Sequence, residues 1–392
     1  MGSVKRFGRI LLVGAIAIIA LTSCSLFNNT VESLFDGGFK LAPEISENEI
    51  DFEITGVGTG MRGYDNFPSI TLFVEPRIAG TDELITGMLE ADFFDVIDDN
   101  GEARPITVTP RGATTTSNKS ADIVFVIDTT GSMSSYLTTM TNKAQDFADT
   151  ITDSDIDFRL GYITFGDDIR KDEGKEEYLK PTTDVATFKE AIGRLTAYGG
   201  DDGPENQIDA LDYARTAVLD SNPWGSFQQD ASFTYRNDAL VIFVLVTDIG
   251  YHTPESPGDV WNVYSKGVNN TIDEEITKLK NDGISCYVVS PDSGDSGEER
   301  YPDLAEETGG RWYPNDTSNF ADIIDDISTD ITTRGDYMIT FMTNDFSPEI
   351  LHIVRIAIHT SQGDAQAIDY FWSPEVVDYD RALQLFEEAA TK

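Results

Sequence analysis

The chain has 392 residues, of which 40% are hydrophobic and 25% are charged, and this composition excludes wholesale disorder. The length is typical of about two domains. Against 69 Asp and Glu residues stand only 28 Lys and Arg residues, so the formal net charge is -41. No basic block is long enough to follow a phosphate backbone, and nucleic acid is therefore excluded as an expected partner.

The first predicted element is a secretory signal sequence. Lys5, Arg6 and Arg9 precede an apolar run over residues 10–21, which is too short to span a bilayer but suits the core of a signal peptide. The stretch "LTSC" then ends at Cys24. It resembles the lipobox of bacterial lipoproteins, and this resemblance implies cleavage before Cys24 and a lipid on that cysteine. An ordinary signal peptide with a chance cysteine is the alternative.

A lipid at this position would place the protein at a membrane surface without a transmembrane helix. We expect residues 1–23 to be the signal peptide and residues 24–48, which carry Asn, Ser, Gly and Glu with little periodicity, to be a lipidated tether. The expected location is the bacterial cell envelope, facing the periplasm or the exterior. The second cysteine, Cys286, lies in the apolar run "GISCYVVS" and is predicted to be a small core residue.

Short alternating runs on either side of the chain's centre predict a β-sandwich in two parts. Residues 49–112 contain "EIDFEITGVG", "SITLFVEPR" and "RPITVTP", separated by Gly, Pro and a hairpin-like "DDNGE". The same rhythm returns over residues 335–375, and we expect this segment to pair with the first. A separate small β domain is the alternative. Residues 376–392 have the apolar spacing of a terminal helix.

Between these parts, residues 120–334 predict an α/β domain. Apolar runs such as "DIVFVID", "DFRLGYITF", "ALVIFVLVTD" and "ISCYVVS" alternate with stretches of helical periodicity. This alternation predicts a doubly wound, mostly parallel sheet that is covered by helices on both faces. In such folds ligands bind at the carboxyl ends of the strands.

Acidic and hydroxyl side chains follow the predicted strands at that edge. Asp128 ends the first parallel strand, and Thr130 and Ser132 come two and four residues later, while Asp248 ends another strand. The glycine-rich loop "YGGDDGPEN" supplies three further acids, Asp201, Asp202 and Glu205. Carboxylate and hydroxyl oxygens without His or Cys favour a hard divalent cation such as Mg²⁺, Mn²⁺ or Ca²⁺ and disfavour zinc.

This pattern resembles the von Willebrand factor A family, whose metal-ion-dependent adhesion site has the form D-x-[ST]-x-S with acids or Thr from two later loops. The stretch "DTTGS" matches through Asp128, Thr130 and Ser132. The resemblance implies that the two hydroxyls bind the metal directly and that Asp128 and Asp248 bind it directly or through water. The stretch "DGPE" is similar to the loop of integrin β subunits and hemicentin, which implies Glu205 as the remaining ligand.

The resemblance implies one divalent cation, with Mg²⁺ favoured over Ca²⁺ or Mn²⁺. Asp202 is a candidate ligand of a second metal, as in integrin β subunits. Gly200 and Asp201, however, do not supply the Asn of that second site, and Ser135 and Tyr136 replace the acidic pair of a third. We therefore expect a single metal.

In the family's binding mode, a partner's Asp or Glu carboxylate fills the open position on the metal. The resemblance therefore implies an envelope-anchored adhesion or scaffold lipoprotein that binds a protein ligand and is not an enzyme. One alternative is a structural envelope-assembly protein whose metal serves only stability. A metal-dependent hydrolase is a further alternative; His252 lies four residues after Asp248, but no G-x-S-x-G, H-E-x-x-H or Walker motif accompanies it.

One short motif is predicted to be structural. The tripeptide "RGD" at residues 334–336 is a sequence that integrins recognise, but it falls where the last helix should end and a strand begin. We expect Gly335 to cap that helix.

Overall fold

The structure is a computed structural model. It describes residues 50–58, 67–81, 83–97, 104–112, 114, 119–152, 156–167, 178–200, 203–216, 233–254, 270–291, 300–315, 323, 326–327, 329, 334–360, 363–373, 382–385 and 387. The predicted signal sequence, Cys24, the tether and Asp202 lie outside the described residues. Among the described helices, none is long and apolar enough to cross a membrane.

In the part of the chain that the structure describes, six strands form the central sheet. Their bounds are β5 Lys119–Asp128, β6 Ile156–Phe165, β7 Tyr178–Thr182, β8 Leu240–Val246, β9 Ile284–Ser290 and β10 Trp312–Pro314. Their order in the sheet is β10-β9-β8-β5-β6-β7. All neighbouring pairs are parallel except β6 and β7, which are antiparallel. The prediction of a mostly parallel α/β sheet is confirmed.

Helices with defined bounds in the described ranges cover this sheet: α1 Ser134–Thr152, α2 Val185–Ile192, α3 Gln207–Thr216, α4 Ile272–Asn281 and α5 Tyr301–Glu307. The central strand β5 is almost entirely buried, and its successive side chains alternate between two apolar clusters. Helices α1 and α2 pack on the cluster of one face, and α3, α4 and α5 pack on the cluster of the other. Burial on both faces explains why these strands are continuous apolar runs.

Two smaller antiparallel sheets contain strands from both ends of the chain. Their strands are β1 Ile50–Gly58, β2 Ser69–Ile78, β3 Phe93–Ile97, β4 Thr107–Gly112, β11 Gly335–Met342, β12 Leu351–Thr360 and β13 Gly363–Trp372. One sheet has the order β1-β2-β11-β4, and the other has the order β13-β12-β3. Both sheets contribute side chains to a third apolar cluster, which Ala382 from the C-terminal helical residues 382–385 also joins.

Helix α4 of the central domain ends against the first small sheet. Gly283 follows the helix with a φ of 60°, and a Cβ at this position would lie 2.6 Å from the ring of Phe73 on β2. The fully buried Arg111 of β4 stacks over the same ring at 4.5 Å and binds the carboxylate of Asp336 on β11. The end of α4 therefore contacts a buried ion pair of the small sheet.

Two local predictions have clear outcomes. Gly335 does not cap a helix, because it is the first residue of β11 and pairs with Gly112. The prediction of a cap was therefore wrong, although the adjacent Asp336 is buried in the ion pair with Arg111, as a structural role requires. Cys286 is a buried free cysteine inside β9, as predicted, and its burial raises the pKa of its thiol.

Candidate functional site: the carboxyl edge of the central sheet

The topology places two acid-bearing loops side by side. Asp128 is the last residue of β5, and Asp248 follows the end of β8 at Val246. The two strands are parallel neighbours. The chain continues from β5 to β6 on one side and returns to β8 on the other, so a crevice forms between the loops after β5 and β8. The carboxyl edge at this crevice is where the predicted site residues lie.

Asp128 is the buried centre of the cluster. Its Oδ1 atom accepts hydrogen bonds from the backbone N of Thr130 at 2.8 Å and from Thr130 Oγ1 at 2.7 Å. These bonds close a turn immediately before the 3₁₀ turn Gly131–Met133, which leads into α1. Both Asp128 and Thr130 are almost fully buried, whereas the side chain of Ser132 faces solvent.

The hydroxyl of Ser132 joins the two loops. Its Oγ lies 3.3 Å from Thr130 Oγ1 and donates to Asp248 Oδ1 at 3.0 Å. Polar oxygens therefore run without interruption from Asp128 to Asp248 across the crevice. The structure brings together these four residues, which the D-x-T-x-S pattern and the end of β8 predicted.

Glu205 approaches the same cluster from the loop before α3. It is buried, its backbone N donates to Gly250 O at 3.0 Å, and its carbonyl accepts from His252 N at 2.9 Å. A Cβ on Gly200 would lie 3.1 Å from Glu205 Oε1 and 3.2 Å from Thr130 Cβ, so Glu205 and Thr130 face each other across this glycine. Glu205 and Thr130 therefore both lie close to Gly200.

Burial raises the pKa of two carboxylates of this site. Desolvation raises the pKa of Asp128 to about 6, although hydrogen bonds from Thr130 and Thr247 oppose that increase. Burial also raises the pKa of Asp248. A nearby cation would favour the charged forms of both acids, because an opposite charge offsets lost hydration.

The donor set fits a hard divalent cation. Within the described residues no group of three His, Cys, Asp or Glu side chains could hold a metal by itself, and the donors that lie together here include the hydroxyls of Thr130 and Ser132. Neighbouring oxygens of an octahedron around Mg²⁺ lie about 3.0 Å apart, given Mg–O bonds of about 2.1 Å. The oxygen separations of 3.3 Å between the two hydroxyls and 3.0 Å between Ser132 and Asp248 are close to that edge length.

Sequence reasoning missed two residues beneath the site. Thr247 is buried and donates to Asp128 Oδ2 at 2.8 Å, and the buried Gln207 donates to Thr247 Oγ1 at 3.2 Å. Neither residue belongs to the D-x-T-x-S pattern. The position of Thr247 directly before Asp248 was the one sequence signal for its role. Nothing in the sequence distinguishes Gln207 from other residues at the start of a helix.

His252 contacts the cluster through its backbone. Its side chain is buried, and its backbone N binds the carbonyl of Glu205. Asp202, the candidate ligand of a second metal, lies outside the described residues.

These features define a doubly wound α/β domain with carboxylate and hydroxyl side chains at the carboxyl edge of its sheet. A sequence profile of the von Willebrand factor type A domain matches residues 122–328, more than half of the chain. The protein belongs to this family, whose domains commonly mediate protein–protein interaction. Among curated proteins, none matches the sequence.

Two solved structures are similar to this chain at low identity. A von Willebrand factor type A protein from Catenulispora acidiphila is 13% identical, with a TM-score of 0.38, 89% of this chain covered and 80% of that chain covered. Proximal thread matrix protein 1 from the mussel byssus is 17% identical, with a TM-score of 0.37 and 56% of this chain covered. This chain spans 46% of the length of the mussel protein.

Proposed function

We propose that this protein binds a protein partner through one divalent cation, with Mg²⁺ favoured, held at the carboxyl edge of its von Willebrand factor type A domain. The observation that carries the proposal is the continuous run of oxygens from Asp128 through Thr130 and Ser132 to Asp248. Glu205 completes the donor set from the neighbouring loop. The ligands proposed are the ones that the integrin β-like loop pattern implies.

The exposure of the site supports a role in binding. Ser132 is exposed and Asp248 is partly exposed, whereas Asp128, Thr130 and Glu205 are buried behind them. A cation held by these side chains would be reachable from solvent on the side of Ser132. A carboxylate of a partner, from Asp or Glu, is the ligand that a hard cation at such an open position prefers. The proposal therefore assigns a protein ligand with an accessible acid and no enzymatic reaction.

The metal proposal is tested by isothermal titration of Mg²⁺, Mn²⁺ and Ca²⁺ into the chelator-stripped, full-length chain in detergent. The matched variant carries Ala at Asp128, Thr130 and Ser132. We expect saturable binding at one site in the wild type and none in the variant. Equal binding by both proteins, or binding by neither, would contradict the proposal.

Partner association that survives chelation would exclude binding of a partner carboxylate to the metal and favour a purely structural role.

We further propose that the protein is a lipoprotein of the bacterial envelope, anchored through Cys24. The support is the basic and apolar leader followed by "LTSC". Labelled palmitate fed to a bacterium expressing the full-length chain should enter the wild-type protein and not a Cys24→Ser variant. Equal labelling of both, or no label in the wild type, would contradict the anchor.

The small sheets are proposed to be a β-sandwich that carries the adhesion domain. Pairing of β11 with β2 and β4, together with the apolar cluster that both sheets share, supports this arrangement. The end of α4 contacts the small sheets, whereas the metal site lies at the carboxyl edge of the central sheet. A sandwich in this place would therefore separate the metal site from the membrane anchor.

A further inference from the structure

The loop that carries Asp248 is held from beneath by one buried amide. Gln207 is the first residue of α3, and its Nε2 atom lies 3.0 Å from Gly250 O and 3.4 Å from Ile249 O. The same nitrogen lies 3.2 Å from Thr247 Oγ1 and 3.0 Å from the hydroxyl of Tyr301. A single side chain therefore contacts the residues on both sides of Asp248.

The direction of these hydrogen bonds is fixed by chemistry. The carbonyl of Gly250 can only accept, so the amide group that faces it must be the donating nitrogen. Tyr301 donates its own proton to Ile249 O at 2.9 Å, so it is an acceptor toward Gln207, whose two amide hydrogens are shared among the acceptors around them. Thr247 likewise donates to Asp128 Oδ2 and accepts from Gln207. A directed chain of hydrogen bonds thus leads from Gln207 through Thr247 to Asp128.

The other end of the amide indicates what the orientation serves. Gln207 is fully buried, and its Oε1 atom has no hydrogen-bond partner among the described residues. A buried acceptor without a partner weakens folding. The side chain is therefore oriented for its nitrogen, whose acceptors all belong to the Asp248 loop or to the helix start that supports it.

We propose that Gln207 is a positioning residue of the cation site and that Tyr301 assists it. Gln207 acts in two ways: it fixes the Asp248 loop through Gly250, and it directs the Thr247 hydroxyl onto Asp128. The inference rests on the proposed metal binding, and it adds a determinant of affinity that lies outside the set of ligands. Side chains in this position behind metal ligands typically change affinity by about 10- to 100-fold when removed.

The test compares Mn²⁺ affinity, by titration calorimetry, for full-length wild type, Gln207→Met, Thr247→Val and the double variant. Methionine keeps approximately the length of the side chain and removes its donors. We expect Gln207→Met to weaken Mn²⁺ binding at least about 10-fold. Because Gln207 acts partly through Thr247, the loss in the double variant should be smaller than the product of the two single losses.

A spectroscopic readout separates positioning from a loss of stability. At saturating Mn²⁺ the electron paramagnetic resonance spectrum reports the symmetry of the bound ion, so Gln207→Met should alter it. The matched control is Gln145→Met on α1, whose amide donates to Lys189 O at 3.1 Å, away from the site. This control should keep both the wild-type affinity and the wild-type spectrum.

Each result decides the inference. Affinity of Gln207→Met within twofold of wild type, or single losses that multiply, would overturn it while the triple Ala variant still tests metal binding itself. Absence of metal binding in the wild type would overturn both proposals. If Gln207→Met does not fold, Tyr301→Phe takes its place. A loss of affinity with an altered spectrum is then expected, and an unchanged affinity and spectrum would contradict the inference.

Discussion

Two buried carboxylates of the central domain have opposite surroundings. Asp128 accepts three hydrogen bonds, from the backbone and hydroxyl of Thr130 and from the hydroxyl of Thr247. Glu275 of α4 is equally buried, yet neither of its carboxylate oxygens has a hydrogen-bond partner among the described residues. At the scale of single residues, the site satisfies its central acid with hydrogen bonds, while the helix face leaves one acid unsatisfied.

Glu275 should therefore reduce stability at neutral pH. Desolvation holds its pKa well above the usual range, and the negative charge of Asp212 adds to this effect, while Arg215 opposes it. As pH rises above the unfolded-state pKa, the unfolded chain loses this proton and the folded chain retains it, so the free energy of unfolding falls up to the folded-state pKa. Glu275→Met removes that pH dependence. It also removes one unsatisfied buried group, whose presence lowers the free energy of unfolding by about 1–3 kcal/mol.

We expect Glu275→Met to be more stable than wild type in urea denaturation, with a gain that is larger at pH 8 than at pH 5. Glu306→Met, which replaces an exposed glutamate on α5, provides the matched control and should show neither effect. A loss of stability at pH 8, or a gain that does not change with pH, would mean that Glu275 has a partner that compensates its burial.

At the scale of elements, the buried strands could be predicted and the edge strands could not. The strands β5, β8 and β9 are apolar runs because helices cover both faces of the sheet. By contrast, β7 contains Lys180 and Pro181 and pairs with one neighbour, and β10 has three residues. An edge strand needs little apolar surface and tolerates proline, so its sequence does not differ from that of a loop.

The same reasoning separates the parts of the site. Asp128, Thr130 and Ser132 are close in sequence, so their pattern could be recognised at the end of an apolar run. The hydrogen bond beneath them joins Gln207 to Tyr301, which are 94 residues apart. It depends on how α3 and α5 pack on the sheet. A contact that tertiary packing creates leaves no periodic signal in the sequence.

At the scale of the whole molecule, a buried ion pair lies where the two parts of the chain meet. The guanidinium of Arg111 binds Asp336 through Nε at 2.5 Å and through Nη2, and it lies 3.4 Å from the carbonyl of Gly283 behind α4. Asn281 at the end of α4 also accepts from Val57 N at 3.4 Å. These contacts couple the small sheet to the central domain, so we expect both to unfold in one transition.

Removing one partner of this pair should be far more harmful than removing both. Arg111→Ala leaves the Asp336 carboxylate buried without its cation, and we expect the free energy of unfolding to fall by about 3–5 kcal/mol. The double variant Arg111→Met with Asp336→Leu replaces both charges by apolar groups and should recover most of that loss. Arg77→Ala, which breaks a more exposed pair with Glu75 on the same sheet, should cost about 0–1 kcal/mol.

Urea denaturation followed by circular dichroism measures the stability of all three variants. A double variant as unstable as Arg111→Ala would show that the contacts of Arg111 with Gly283 and Phe73, rather than its charge pairing, hold the two parts of the molecule together.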